Sequence, residues 1–300
     1  VTTRFCHFAA LFLACLLVVG CSRQKAPEPA AGPPKRIVCL APSITETLFA
    51  LGLGDRVVGV TKFCSYPPEA TELPKVGGQV DPNAEAIALL RPDLVVLFDY
   101  QDAVRKQVEA LGLRTLVVPG KTLANILGLV DRLGEACECP EAARKLRAGF
   151  EARIEAVRRR TEAAKARPKV LISVDRVLGG GLRSVYAAGD DGYFTALLDI
   201  AGGRNACSGT GIAFPMLSPE SVVELNPDVI VDLCVGAVDK GISKEDLAAD
   251  WSSLKTVGAV KSGRVYVLTE SFATVPGPRS IEFLEQLAAF LHPSLAEGKP

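Results

Sequence analysis

The sequence predicts an α/β protein: two lobes, each built on a parallel sheet, joined by one long helix. Three observations carry this. Strand-like segments read as unbroken apolar runs between helices, as in LVVLF (Leu94–Phe98), the pattern of a parallel sheet covered on both faces. The stretch AEAIALLRPDLVV (Ala84–Val96) returns 135 positions later as PESVVELNPDVIV (Pro219–Val231), aligning Glu85 with Glu220 and Pro92-Asp93 with Pro227-Asp228. Between the copies, Pro140–Ala166 is charge-dense, with Leu146, Phe150, Ile154 and Val157 recurring at helical spacing. At 1.5 Å per residue it would form a rod of roughly 40 Å.

The elements follow in order. Residues 1–20 read as a signal peptide, with Arg4 before the apolar run Phe8–Gly20, which is too short for a spanning helix. Leu17, Val18, Val19 and Gly20 ahead of Cys21 resemble a lipobox, which implies lipidation of Cys21, and residues 21–34 form a Pro- and Ala-rich tether. The first lobe, 35–136, opens with the strand Lys35–Leu40. Ser43 and Glu46 have capping-box spacing, which predicts an N-cap at Ser43. Further strands are expected at Arg56–Val60, Leu94–Phe98 and Arg114–Val118, with helices over Ala84–Leu90, Gln101–Leu111 and Thr122–Leu133. Pro92 forces Arg91 out of helical geometry.

The linking segment is 137–167, and the second lobe spans 168–300. There Lys169–Val174 is a strand, Gly179–Gly181 a turn and Tyr193–Ile200 a helix. Ser218 caps a helix with Pro219 at its first position. Strands Val229–Leu233 and Val265–Leu268 and the helix Ser280–Leu291 complete the lobe.

Without residues 1–20 the chain keeps one more acidic than basic residue, a formal net charge of −1, which argues against nucleic acid as a partner. Six cysteines follow Cys21, and export permits disulfides. Cys39 with Cys64, and Cys207 with Cys234, are each separated by one helical unit and are expected to pair within their lobes. Cys137 and Cys139 stand too close in sequence for ready pairing.

Ligands of open α/β sheets bind beyond the carboxyl ends of the strands. The segments expected there carry Phe63, Tyr66, Phe98, Tyr100 and Phe272, with Tyr186 reaching in from a loop, an aromatic groove suited to a large flat ligand. Arg279, at the start of the last long helix, is a candidate anion contact. Each repeated glutamate stands in the first turn of its helix, where a carboxylate is favoured by the dipole. Occurring once in each lobe, Glu85 and Glu220 form two separated acidic points for a protein partner.

KRIVCLAPSITETLFALGLGDRVVGVTKFCSYPPEA, LPKVGG, NAEAIALLRPDLVV, SPESVVELNPDVIV, WSSLKTVGAVKSGRVYVL and PGPRSIEFLEQLAAFL together resemble the vitamin B12 and iron-siderophore class of ABC-transporter substrate-binding proteins over roughly residues 35–292. The resemblance implies two Rossmann-like lobes on a single helical backbone and a monomeric receptor in the periplasm or cell envelope. It further implies a corrinoid ligand first, with ferric siderophore or heme as alternatives. Docking on an ABC permease dimer would fall to Glu85 in NAEAI and Glu220 in SPESV. The chain departs from vitamin-binding members where Gln79-Val80 replace an aromatic.

An enzyme would need a nucleophile, a base or a cofactor loop, and no GxGxxG after a strand, Walker A, HExxH or GxSxG occurs. No resident cofactor and no bare-metal site is expected, because His7 and His292 are the only histidines. A two-lobed metallocluster protein or enzyme, with Cys39, Cys64 and Cys234 as ligands, is the remaining rival.

Overall fold

Runs rich in Val, Ile and Leu form the main strands, such as Leu94–Phe98, which ends at Asp99, and Thr115–Val118, which ends at Pro119. The computed structural model describes residues 32–120, 122–164 and 166–296; the signal peptide, Cys21 and most of the tether lie outside them. The first lobe is β1 (Ile37–Cys39), α1 (Pro42–Ala50), β2 (Val57–Val60), α2 (Pro68–Thr71), α3 (Ala84–Leu89), β3 (Leu94–Phe98), α4 (Asp102–Ala110), β4 (Thr115–Val118) and α5 (Leu123–Ala136). Its sheet runs β2-β1-β3-β4, parallel throughout. All five residues of β3 are buried, as a strand covered on both faces requires.

The long helix is α6 (Pro140–Glu162), 23 residues, so its length is about 35 Å. It stops one turn earlier than the charge pattern predicts. The second lobe contains β5 (Lys169–Arg176), β6 (Val185–Ala187), α7 (Phe194–Ile200), β7 (Arg204–Asn205), β8 (Met216–Leu217), α8 (Pro219–Leu225), β9 (Val229–Leu233), α9 (Lys244–Trp251), α10 (Gly258–Lys261), β10 (Val265–Leu268), α11 (Ser280–Leu291) and α12 (Pro293–Ala296). Its sheet is mixed. Strands β10, β9, β5 and β7 are parallel, whereas β6 runs antiparallel to β5 and β8. The connection 177–184 is too short for a parallel crossover, and Gly179 and Gly181 turn it back at φ 75° and 69°.

Helix α6 holds both lobes. Its Phe150, Ile154 and Val157 belong to one apolar core that runs from Ile37 and Val96 in the first sheet to Val170 and Val231 in the second. It packs on α5 from the first lobe and on α7 and α11 from the second. Arg153 adds a two-pronged bond to Glu285 of α11, at 2.9 and 2.8 Å.

The repeated unit has a shared local cause. The Arg36 backbone N–H donates to Asp93 Oδ1 at 2.9 Å, and the Lys169 N–H donates to Asp228 Oδ2 at 2.7 Å. The side chains of the same two residues reach the C-terminal ends of the repeated helices: Arg36 Nη2 donates to Leu90 O at 2.7 Å, and Lys169 Nζ to Leu225 O at 3.0 Å. Between each helix and its Pro-Asp pair stands one residue of left-handed backbone, Arg91 at φ 47° and Asn226 at φ 43°. Each copy is a helix, a sharp stop and an aspartate that pins the neighbouring strand.

Two expectations are corrected here. Helix α1 starts at Pro42, with Ala41 as its N-cap and no side-chain cap, so Ser43 and Glu46 form no capping box. Proline needs no N–H partner at the first helical position and takes that place. All six cysteines after Cys21 are free thiols, so neither Cys39–Cys64 nor Cys207–Cys234 is bridged. Cys64 Sγ instead lies 3.3 Å from the hydroxyls of both Thr45 and Thr61. Cys207 follows β7 and Cys234 follows β9, with β5 between these strands. Two strand spacings, about 9–10 Å, exceed the Cα separation a disulfide spans.

Candidate functional site

The carboxyl ends of β1, β3 and β4 face the second lobe across a cavity of about 380 Å³. From the first lobe, Pro42 and Ser43 at the start of α1, Gln79, Phe98, Tyr100 and Gly120 line it; from the second, Asp191, Tyr193, Phe194, Phe214 and the segment Thr274–Pro276 do.

Phe98 and Tyr100 stack, with ring centroids 5.3 Å apart and planes at 18°. Gly120 makes room for them: a Cβ there would stand 3.0 Å from the Tyr100 ring and 3.1 Å from that of Phe98. Gln79 Nε2 donates to the Tyr100 hydroxyl at 2.5 Å. The buried Gln101 organises this wall by accepting from Phe98 N (2.7 Å) and donating to Gln79 O (2.5 Å) and Leu40 O (3.2 Å). It thereby ties the ends of β1 and β3 to the loop that carries Gln79.

The opposite wall is a pinned loop. Asp190 accepts from Gly209 N at 2.9 Å and Gly211 N at 2.7 Å, and these bonds hold its carboxyl below the usual aspartate pKa. Gly189 N donates to Ala213 O and Asp190 N to Ile212 O, at 2.8 and 2.9 Å, which presents Phe214 to the cavity. No side chain fits at 189, where a Cβ would meet Ile212 O at 2.2 Å. Asp191 Oδ1 accepts from Tyr193 N (2.7 Å) and Phe194 N (2.6 Å) just ahead of α7; burial nevertheless raises its pKa.

At the seam between the lobes, Arg279 of the second binds Glu46 of the first. Nη2 lies 2.6 Å from Oε1 and Nε 3.1 Å from Oε2, and Nη2 also reaches Ser271 Oγ at 3.2 Å. The pair is buried, with side chains 13% and 2% exposed. The Tyr66 ring covers the guanidinium at 3.9 Å. Burial raises the Glu46 pKa, and the hydrogen bond and charge of Arg279 oppose that shift.

Of the residues expected at the site, the structure brings Phe98 and Tyr100 into the cavity wall. Tyr66 and Phe272 surround Arg279 instead, and Arg279 is occupied by Glu46. Phe63 is exposed beside Lys62, and Tyr186 is exposed on β6 opposite Met216; neither lines the cavity. Sequence reasoning missed Gln79, Asp191, Tyr193 and Phe214. The Gly-rich stretch GTGIAFP was the available signal for the last of these. Glu85 and Glu220 are both exposed, in the first turns of α3 and α8, and the Ser218 hydroxyl lowers the Glu220 pKa. Among the described residues, no cluster of His, Cys, Asp and Glu is arranged to hold a metal ion.

A model of the periplasmic binding protein family matches residues 37–272. An uncharacterized ABC transporter substrate-binding lipoprotein of Bacillus subtilis, YvrC, is 32% identical over 269 residues, covering 87% of this chain and 81% of its own. A cobalamin-binding protein of Halobacterium salinarum is 30% identical, covering 86% of this chain and 70% of its own. Among solved structures, the apo periplasmic heme-binding protein RhuT of Roseiflexus superposes with a TM-score of 0.75 at 29% identity, over 87% of this chain and 99% of that one. The chain shares its two-lobed, helix-backed fold with this solved binding protein, and it belongs to the periplasmic binding protein family, as a non-catalytic solute-binding protein of ABC transport.

Proposed function

We propose that the chain is a lipid-anchored receptor that captures a corrinoid in the interlobe cavity and delivers it to an ABC permease. The observation that carries this reading is the make-up of the cavity: the Phe98–Tyr100 stack on one side, Phe214 on the other, and Gln79, Tyr100 and Asp191 as polar points. Aromatic faces suit a flat macrocycle. Amide and hydroxyl groups match the carboxamide arms of a corrinoid. The cobalamin-binding relative supports the same choice. Heme is the second reading, favoured by the Tyr100 hydroxyl at the cavity wall and by the heme-binding structural relative.

Glu85 and Glu220 are the docking contacts in this reading, one for each permease subunit, and Cys21 is the lipidated residue. The test of the cavity assignment is calorimetric titration with cyanocobalamin of the parent and of Phe214→Ala, a half-exposed position whose loss leaves the core intact. The reading requires weaker binding in the variant; equal affinity would place the ligand elsewhere.

A further inference from the structure

We propose that the Glu46–Arg279 pair, together with the close approach of Gly277 to Ser43, is the pivot that sets the width of the cleft. The proposal does not depend on which ligand is carried. Glu46 lies on α1, whose first residues line the cavity; Arg279 is the N-cap of α11 and follows the lining segment Thr274–Pro276. One ion pair therefore joins, from just behind them, two segments that line the cavity from opposite lobes.

Three features make this contact a fixed point and not an incidental surface pair. The guanidinium engages both carboxylate oxygens, which fixes orientation as well as distance. Its exposed face is closed by the Tyr66 ring, so salt screens it little. At Gly277 the second lobe touches α1 directly: a Cβ there would stand 3.1 Å from Ser43 Cβ, 3.2 Å from Ser43 Cα and 3.5 Å from Glu46 Oε2. The lobes meet with no room for a side chain, and the ion pair lies beside that contact. A rotation of one lobe must turn about this point or break it. Glu46 and Arg279 are thus positioning residues: they fix the distance between the aromatic wall and the Phe214 loop.

The test is a distance measurement on the full mature chain without ligand. Nitroxides are introduced through a noncanonical amino acid at the exposed positions Lys106 and Lys261, one in each lobe, which leaves the native thiols untouched. Pulsed electron-electron resonance is then recorded for the parent, Glu46→Gln, Arg279→Lys and Tyr66→Ala, with thermal melts to confirm folding. The parent should give one narrow distance distribution that is insensitive to salt. Glu46→Gln and Arg279→Lys should broaden it at least twofold and add a population at longer distance, and Tyr66→Ala should make the width salt-dependent. Distributions matching the parent in every variant that folds would overturn the pivot. A failure of cyanocobalamin to bind would touch only the ligand assignment, because the distances are read without it.

Discussion

Arg279 reaches Glu46 across 233 positions of sequence and binds it through two nitrogens in a seam largely shielded from solvent. Taking either group away strands the other. Glu46→Ala should cost about 3–5 kcal/mol, the usual penalty for leaving a buried charge without its partner. Urea unfolding measures it directly. A loss near 1 kcal/mol or below would mean that water reaches the seam and that the pair contributes only as a surface bridge does.

Asp190 holds the Phe214 loop through two backbone amides. Asp190→Ala should leave the core and the thermal midpoint almost unchanged and free the loop in the empty protein. Ligand affinity should then fall roughly 2- to 10-fold, the factor expected when a side chain must be ordered on binding. Unchanged affinity by titration would show that the loop needs no pinning.

Glu85 and Glu220 are exposed on two helices of the same design. Reversing both to lysine should abolish uptake of the ligand in cells while affinity on the isolated protein stays within a few fold. A large affinity loss would move both residues from docking to binding.

His292 is buried with Nε2 3.1 Å from Ala201 O. Burial lowers its pKa from the ordinary 6.5, with Arg264 and Arg160 acting in the same direction, while bonds to the Ala201 and Gly202 backbone oppose the shift. A histidine with a depressed folded pKa binds fewer protons folded than unfolded. Its contribution to stability is therefore complete above the unfolded value and declines as pH falls through the folded one. Between roughly pH 7 and pH 5 the parent should lose more thermal stability than His292→Gln. Parallel curves for the two proteins would remove His292 as the cause.

Much of the fold was legible because its signals are local. LVVLF is a strand in any neighbourhood that covers both faces, and the repeat at Glu85 and Glu220 carries its own stop, with Asp93 and Asp228 pinning adjacent strands. The antiparallel part of the second sheet was hidden, because β6 and β8 have three and two residues, too few for any periodicity. The site was half legible. Phe98 and Tyr100 follow directly from the end of β3, whereas Phe214 depends on a loop clamped by Asp190, a contact between segments with no shared pattern. Ser43 and Glu46 had the spacing of a helix cap, but Pro42 took the first helical position and released Glu46 for a partner in the other lobe. Gln79, which reads in sequence as a missing aromatic, instead holds the Tyr100 hydroxyl.

The most direct measurement is a side-by-side titration of the mature protein with cyanocobalamin, heme and a ferric chelate, followed by absorbance. A corrinoid receptor should bind one cyanocobalamin per chain and bind it more tightly than the other two. Saturable binding of heme or the ferric chelate, with cyanocobalamin left free, would contradict the account.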